Sequence, residues 1–126
     1  MEIPDDLLYT EEHEWIRQEG GGLVRIGITD YAQDQLGDVV YVELPDVGKE
    51  VVKDDVLVEV ESTKSVGEVY APFAGKVSDV NQAVSGSPEL VNQSPYENGW
   101  LVVLSLDGDV PADGLLDAAA YRDLTE

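Results

Sequence analysis

Cysteine is absent from the 126 residues, which excludes a disulfide framework, a thiolate metal site and a cysteine nucleophile. Histidine occurs once, at His13, so neither a histidine metal cluster nor a histidine–cysteine pair can be built. Long apolar runs are missing as well. The longest, Trp100 to Leu104, has five residues, far short of the roughly 20 that a membrane-spanning helix needs. The opening Met1-Glu2-Ile3-Pro4-Asp5-Asp6 is acidic, unlike a basic leader, and a cytoplasmic protein is expected. Basic residues are scarce: seven Lys plus Arg stand against 27 Asp plus Glu, a net charge of −20. Such a chain repels phosphate backbones and anionic lipid, so neither nucleic acid nor a membrane is an expected partner.

What is present suits one folded domain. Apolar residues make up 43%, enough for a globular core, and the length allows one core rather than two. The acids are spread along the chain instead of gathered in a tail. That distribution fits a halophile's surface, where salt screens the repulsion, and it also fits a docking face for basic partners. The two readings are compatible.

The hydropathy pattern is mostly of period two. Val24, Ile26 and Ile28 share one strand face, and Val39 to Leu44 reads as a strand ended by Pro45-Asp46-Val47-Gly48. Val56, Val58 and Val60 alternate with Leu57, Glu59 and Glu61. Val66, Glu68 and Tyr70 alternate with Gly67, Val69 and Ala71 up to Pro72. Lys76 to Val80 and Trp100 to Leu106 complete the strands. Short strands broken by Gly, Pro and Asn predict a small sandwich or barrel. Helix is minor. Thr29 or Asp30 can cap a short helix through Leu36, with Gly37 as its stop, and Asp117 to about Leu124 reads as a second. Gly20-Gly21-Gly22 lacks the strand–GK[ST]–helix setting of a phosphate loop and reads as a hairpin loop. Gly37, Val39, Val42 and Gly48 recur, 38 residues on, as Gly75, Val77, Val80 and Gly86. If this is a true repeat, the segment Val56 to Ala71 is a lone hairpin near a pseudo-two-fold axis.

The tip of that hairpin reads Glu61-Ser62-Thr63-Lys64-Ser65. Lys64 is the only base between Lys53 and Lys76, and its neighbours Thr63 and Ser65 are small. A tight turn there lifts its amine clear of the sheet, where a modifying enzyme can reach it. An exposed lysine is ordinary by itself. Its isolation among acids is what sets this one apart.

These residues carry a resemblance. Glu61-Ser62-Thr63-Lys64-Ser65, followed by Tyr70-Ala71-Pro72 and Gly75-Lys76-Val77, resembles the lipoyl attachment segment of the glycine cleavage H-protein family. His13-Glu14-Trp15, the stretch Gly27 to Gln33, the stretch Leu36 to Pro45, Pro88 to Asn92, and Pro95 to Leu101 are similar to that family in order and spacing. The resemblance spans Tyr9 to about Leu104. It implies a mainly β lipoyl/biotinyl-type barrel-sandwich hybrid with short helices. The implied single carrier domain has its core at about 20–106 and a C-terminal helical appendage at about 111–126.

It further implies that Lys64 carries lipoate as N6-lipoyllysine, and that the chain is a carrier rather than an enzyme. Its cargo is the aminomethyl group of decarboxylated glycine. The implied partners are glycine decarboxylase (P protein), aminomethyltransferase (T protein), dihydrolipoamide dehydrogenase (L protein) and a lipoate ligase or lipoyl transferase, with the carrier itself a monomer. In the family a cleft holds the loaded arm, and its contacts fall here on Glu12, Glu14 and Glu68. Glu12 stands where members have a small polar residue and Glu68 where they often have Asp; both departures keep or add negative charge. Tyr31 stands where some members have His and is assigned no proton-transfer role.

Other readings are weaker on the residues. Biotin carriers flank the target lysine with Met, where Thr63 and Ser65 stand here. Free-standing lipoyl domains lack the His-Glu-Trp start and the Pro-Tyr-Glu-Asn-Gly-Trp end. An H-like relay that passes lipoate to other complexes remains the alternative function. No nucleophile–base constellation supports an enzyme, and no metal site is expected. His13 reads as structural or as cleft wall, and Trp15 and Trp100 as packing rather than ligand stacking.

Overall fold

The computed structural model describes residues 1–108, 110–111 and 114–125. In chain order the elements are β1 (Leu8–Tyr9), β2 (Glu14–Gly20), β3 (Leu23–Ile28), α1 (Asp30–Leu36), β4 (Val39–Glu43), β5 (Glu50–Val51), β6 (Val56–Ser62), β7 (Val66–Tyr70), β8 (Gly75–Val80), α2 (Gln82–Gly86), α3 (Leu90–Gln93), β9 (Val102–Ser105) and α4 (Ala118–Thr125). Six strands form one antiparallel sheet in the order β1-β2-β3-β9-β8-β5, and three form a second in the order β4-β6-β7. The expected mainly β sandwich with short helices and a C-terminal helix is the observed architecture.

Alternating valines and isoleucines build the core between the sheets. Val24, Ile26 and Ile28 of β3 meet Val42 of β4, Val58 and Val60 of β6, Val69 of β7 and Leu104 of β9. Ile16 of β2 is buried in the same cluster. A second, aromatic cluster joins Tyr9, Trp15 and Tyr96 to Ala118 and Tyr121 of α4. This is how the C-terminal helix is fastened to the sheet. Residues 112, 113 and 126 of the expected appendage lie outside the described residues.

Strict alternation fails in β4, β6 and β8 for one reason. In β4 the register against β6 shifts between Val39 and Tyr41, so Val39 and Val42, three apart, both face inward while Val40 is exposed. In β6 a shift between Val56 and Val58 buries Leu57 and Val58 together and leaves Val56 outside. An extra residue on one strand of a pair produces this reversal. The internal repeat acquires a structural counterpart here. β8 carries its own shift between Val77 and Asp79, and both Val77 and Val80 face the core. The bulges of β4 and β8 therefore occupy matched positions. The correspondence stops there: Gly48 has φ +97 while Gly86 has no positive φ, and the β6–β7 hairpin is not alone, since β6 pairs with β4.

Candidate functional site

The β6–β7 pairing runs to Glu61↔Val66, which leaves residues 62–65 as the connecting turn. Ser62 organises it. Its backbone N–H donates to the Ser65 carbonyl at 2.8 Å. Its hydroxyl oxygen accepts from the backbone N–H groups of Lys64 (3.2 Å) and Ser65 (3.0 Å) and donates to the Ser65 carbonyl. A serine that bonds its own turn in this way takes the place of longer-range support. Thr63, Lys64 and Ser65 are all exposed, and among the described residues Lys64 forms no ion pair.

The turn rests on a second corner. Thr29 caps α1 by accepting from the Ala32 N–H, and Gly37, at φ +90, ends the helix. That conformation is open to glycine and strained for residues with a Cβ. Asn92 holds the corner from α3. Its amide nitrogen donates to the Gly37 carbonyl and to Gln33 Oε1, each at 2.9 Å, while its oxygen accepts from the Val39 N–H at 2.8 Å. The Asp38 carbonyl accepts from the Thr63 N–H at 3.1 Å, tying corner to turn. The methylenes of Lys64 run along the bare α-carbon of Gly37: a Cβ built there would stand 3.1 Å from Lys64 Cε.

Beyond this corner a small cleft of about 90 Å³ opens between Ala32 and Leu36 of α1 and Val60, Gly67 and Val69 of the hairpin. Glu12, Glu14 and Glu68 line it together. Their states differ. Glu14 is only 2% exposed. Its carboxylate accepts from the Thr10 hydroxyl at 2.9 Å and the Tyr70 N–H at 2.9 Å. Burial nevertheless dominates and pushes its pKa up to about 7, with Glu12 and Asp54 adding to the rise and the two hydrogen bonds opposing it. Glu12 and Glu68 are exposed, and Glu68 Oε1 accepts from the Tyr70 hydroxyl at 3.3 Å. A neighbouring cavity of about 260 Å³ shares Glu12 and Glu14 and adds Thr10, Asp54 and Tyr70. A larger cleft, about 710 Å³, lies past the far end of β7 from Lys64 and mixes Lys53 and Lys76 with Glu50 and Asp107.

His13 stands apart from the cleft lining. It adopts φ 69 in the turn that leads into β2, and its Nδ1 lies 2.8 Å from the Tyr121 hydroxyl, which also bonds the Thr29 hydroxyl at 2.7 Å. Burial lowers its pKa. His13 thus ties α4 to the start of α1. Tyr31 tilts against its ring, with centroids 4.7 Å apart. Trp15 is buried, donates from Nε1 to the Pro95 carbonyl and lies so close to Gly27 that a Cβ there would collide with the indole. Trp100 lies under the Arg25 guanidinium, 4.5 Å from its centroid.

The arrangement offers an exposed amine on a hydrogen-bonded turn, beside a partly apolar cleft whose polar groups are acids. It can hold a cationic group and shield it from water, because a carboxylate in such a setting gains more from a cation than one in bulk water does. Leu36, Gly37 and Asn92 carry no site signal in the sequence: Gly37 reads as a helix stop, and the contacts that join it to Lys64 and to Asn92 are tertiary.

Comparison with known proteins bears on this geometry. A family model described as Glycine cleavage H-protein matches residues 7–126. A glycine cleavage system H protein from Anaeromyxobacter sp. (strain K) is 53% identical over 126 residues, covering 100% of this chain and 98% of that protein. One from Mycolicibacterium smegmatis is 57% identical over 124 residues, covering 96% of this chain and 95% of that protein. The crystal structure of a glycine cleavage system H protein from Mycobacterium marinum superposes with a TM-score of 0.86 at 40% identity, over 96% of this chain and 97% of that one.

Proposed function

The chain belongs to the glycine cleavage H-protein family and is a lipoyl carrier of the glycine cleavage system, not an enzyme, and from that premise we propose that Lys64 bears the lipoyl group in amide linkage. The observation that carries the proposal is the apex of the β6–β7 hairpin, where an exposed amine stands on a turn tied to its own serine and to Asp38. When bound, the lipoyl group supplies a dithiol/disulfide that takes up the aminomethyl cargo and the electrons of the reaction. The chain supplies the mount, the reach and the shelter. Glu12, Glu14 and Glu68 line the cleft that receives the loaded end, and their charge holds its protonated amine. The chain is one carrier domain, monomeric and cytoplasmic. It docks in turn with the P, T and L proteins and is modified by a lipoate ligase or transferase. Among the described residues no helix is long and apolar enough to cross a membrane.

One preparation tests both parts. Peptide mass mapping of natively expressed protein is expected to find the lipoyl adduct on Lys64 alone and to find none in Lys64→Arg, which keeps the charge but is not acylated. An adduct on Lys53 or Lys76 overturns the assignment. The lipoylated protein is then loaded by a P protein and freed of that enzyme. Glu14→Gln/Glu68→Gln is expected to be lipoylated normally and to lose ammonia and formaldehyde several-fold faster than the parent. Equal decay would make these acids part of the solvated surface.

A further inference from the structure

We infer that Gly37 is a positioning residue that aims the arm: its missing side chain leaves a slot along which the Lys64 stem lies and from which the stem points at the cleft. The inference rests on the assignment of the lipoyl group to Lys64. Three consecutive side-chain carbons of Lys64, Cγ, Cδ and Cε, would lie at 3.8, 3.6 and 3.1 Å from a Cβ at position 37. The long apolar stem of an exposed lysine packs on whatever bare surface it meets, leaving its amine in water, and here that surface is the glycine backbone.

Two requirements meet at this residue. The helix stop at φ +90 favours glycine for conformational reasons, and the slot needs glycine for space. Asn92 makes the slot rigid through its bonds to the Gly37 carbonyl, Gln33 and the Val39 N–H. The direction follows from the preceding residue. Leu36 lines the cleft, and its Cδ1 would stand 3.3 Å from a Cβ on Gly67 in the opposing strand β7. A stem held on Gly37 therefore lies next to a residue of the cleft wall. A Cβ at position 37 crowds the far end of a flexible side chain rather than backbone, so the Lys64 stem and not the corner is what gives way.

Strain at a positive φ is the confounding effect, and Gly48 controls for it. Gly48 has φ +97, and a Cβ placed there would meet nothing within 4 Å, so alanine at that position brings the strain of a positive φ and touches no arm. Three lipoylated proteins are compared: the parent, Gly37→Ala and Gly48→Ala. In the parent and Gly48→Ala, nuclear Overhauser contacts are expected between the arm methylenes and the Leu36 methyl groups, and the reduced arm is alkylated slowly by iodoacetamide. In Gly37→Ala the contacts are expected to vanish and alkylation to quicken several-fold, with lipoylation complete. Retained contacts at the parent's alkylation rate in Gly37→Ala, or equal losses in Gly48→Ala, overturn the inference. The unlipoylated parent supplies a reading that needs no variant: cross-peaks from the Lys64 δ and ε protons to the Gly37 α protons. Their absence overturns the inference even if Gly37→Ala fails to fold. A lipoyl group found on another lysine would sink the underlying assignment while leaving those cross-peaks in place, so the two failures are distinguishable.

Discussion

Glu14 concentrates the site's electrostatics in one residue. A carboxyl taken out of water resists ionisation, and its two hydrogen-bond donors recover only part of that cost. Its folded-state pKa of about 7 lies above the ordinary carboxylate value of 4.5. The folded state therefore holds a proton that the unfolded chain has already released between those two values. The stabilisation that comes with this proton is complete below about 4.5 and is lost as pH rises through about 7, a swing on the order of 3 kcal/mol. Glutamine at this position keeps the volume and one acceptor and has nothing to ionise. The fall in melting temperature between pH 5.5 and 8.5 is expected to be smaller in Glu14→Gln than in the parent. Parallel melting curves would mean that Glu14 ionises as freely in the fold as outside it. A cation seated beside Glu14 favours its charged form, so arm binding and proton release are linked at this residue.

Elements whose signal is local were legible in the sequence. β3 follows from alternating Val and Ile, β7 from a period-two run closed by Pro72, and α1 from a cap and a stop, and Thr29 and Gly37 occupy those last two roles in the structure. The hairpin tip was legible too, because Lys64 has no basic neighbour to compete with it. What could not be read has tertiary causes. β2 begins at Glu14, in an acidic stretch without alternation, and is held by pairing with β3. The helices α2 and α3, of five and four residues, are too short to carry a period. The bulges of β4, β6 and β8 break alternation at single residues and become visible only against the partner strand. The burial of Glu14 has the same origin: its sequence neighbours include Glu11, Glu12 and His13, and it is enclosed by the Thr10 hydroxyl, the Tyr70 N–H of a strand 56 residues away and the walls of the fold.

Across the whole molecule the dominant fact is a charge of −20. Among the described residues the ion pairs are Arg17–Glu97 and Arg25–Glu19, which leave most acids without a cationic partner. Like charges even face one another across strands, in the row Glu43–Glu59–Glu68 of the small sheet. Such neighbours destabilise a sheet. Screening relieves them as the Debye length falls from about 10 Å at 0.1 M salt to about 3 Å at 1 M. We propose that the surface is adapted to high salt, and the melting temperature is expected to climb steeply across that range. A midpoint indifferent to salt would contradict the proposal. The carrier role itself is tested most directly by reconstituted glycine–bicarbonate exchange with a P protein. The lipoylated chain is expected to support exchange, and Lys64→Arg to support none. A correctly lipoylated chain that fails to support exchange would contradict the account and make it a relay that hands lipoate to other complexes.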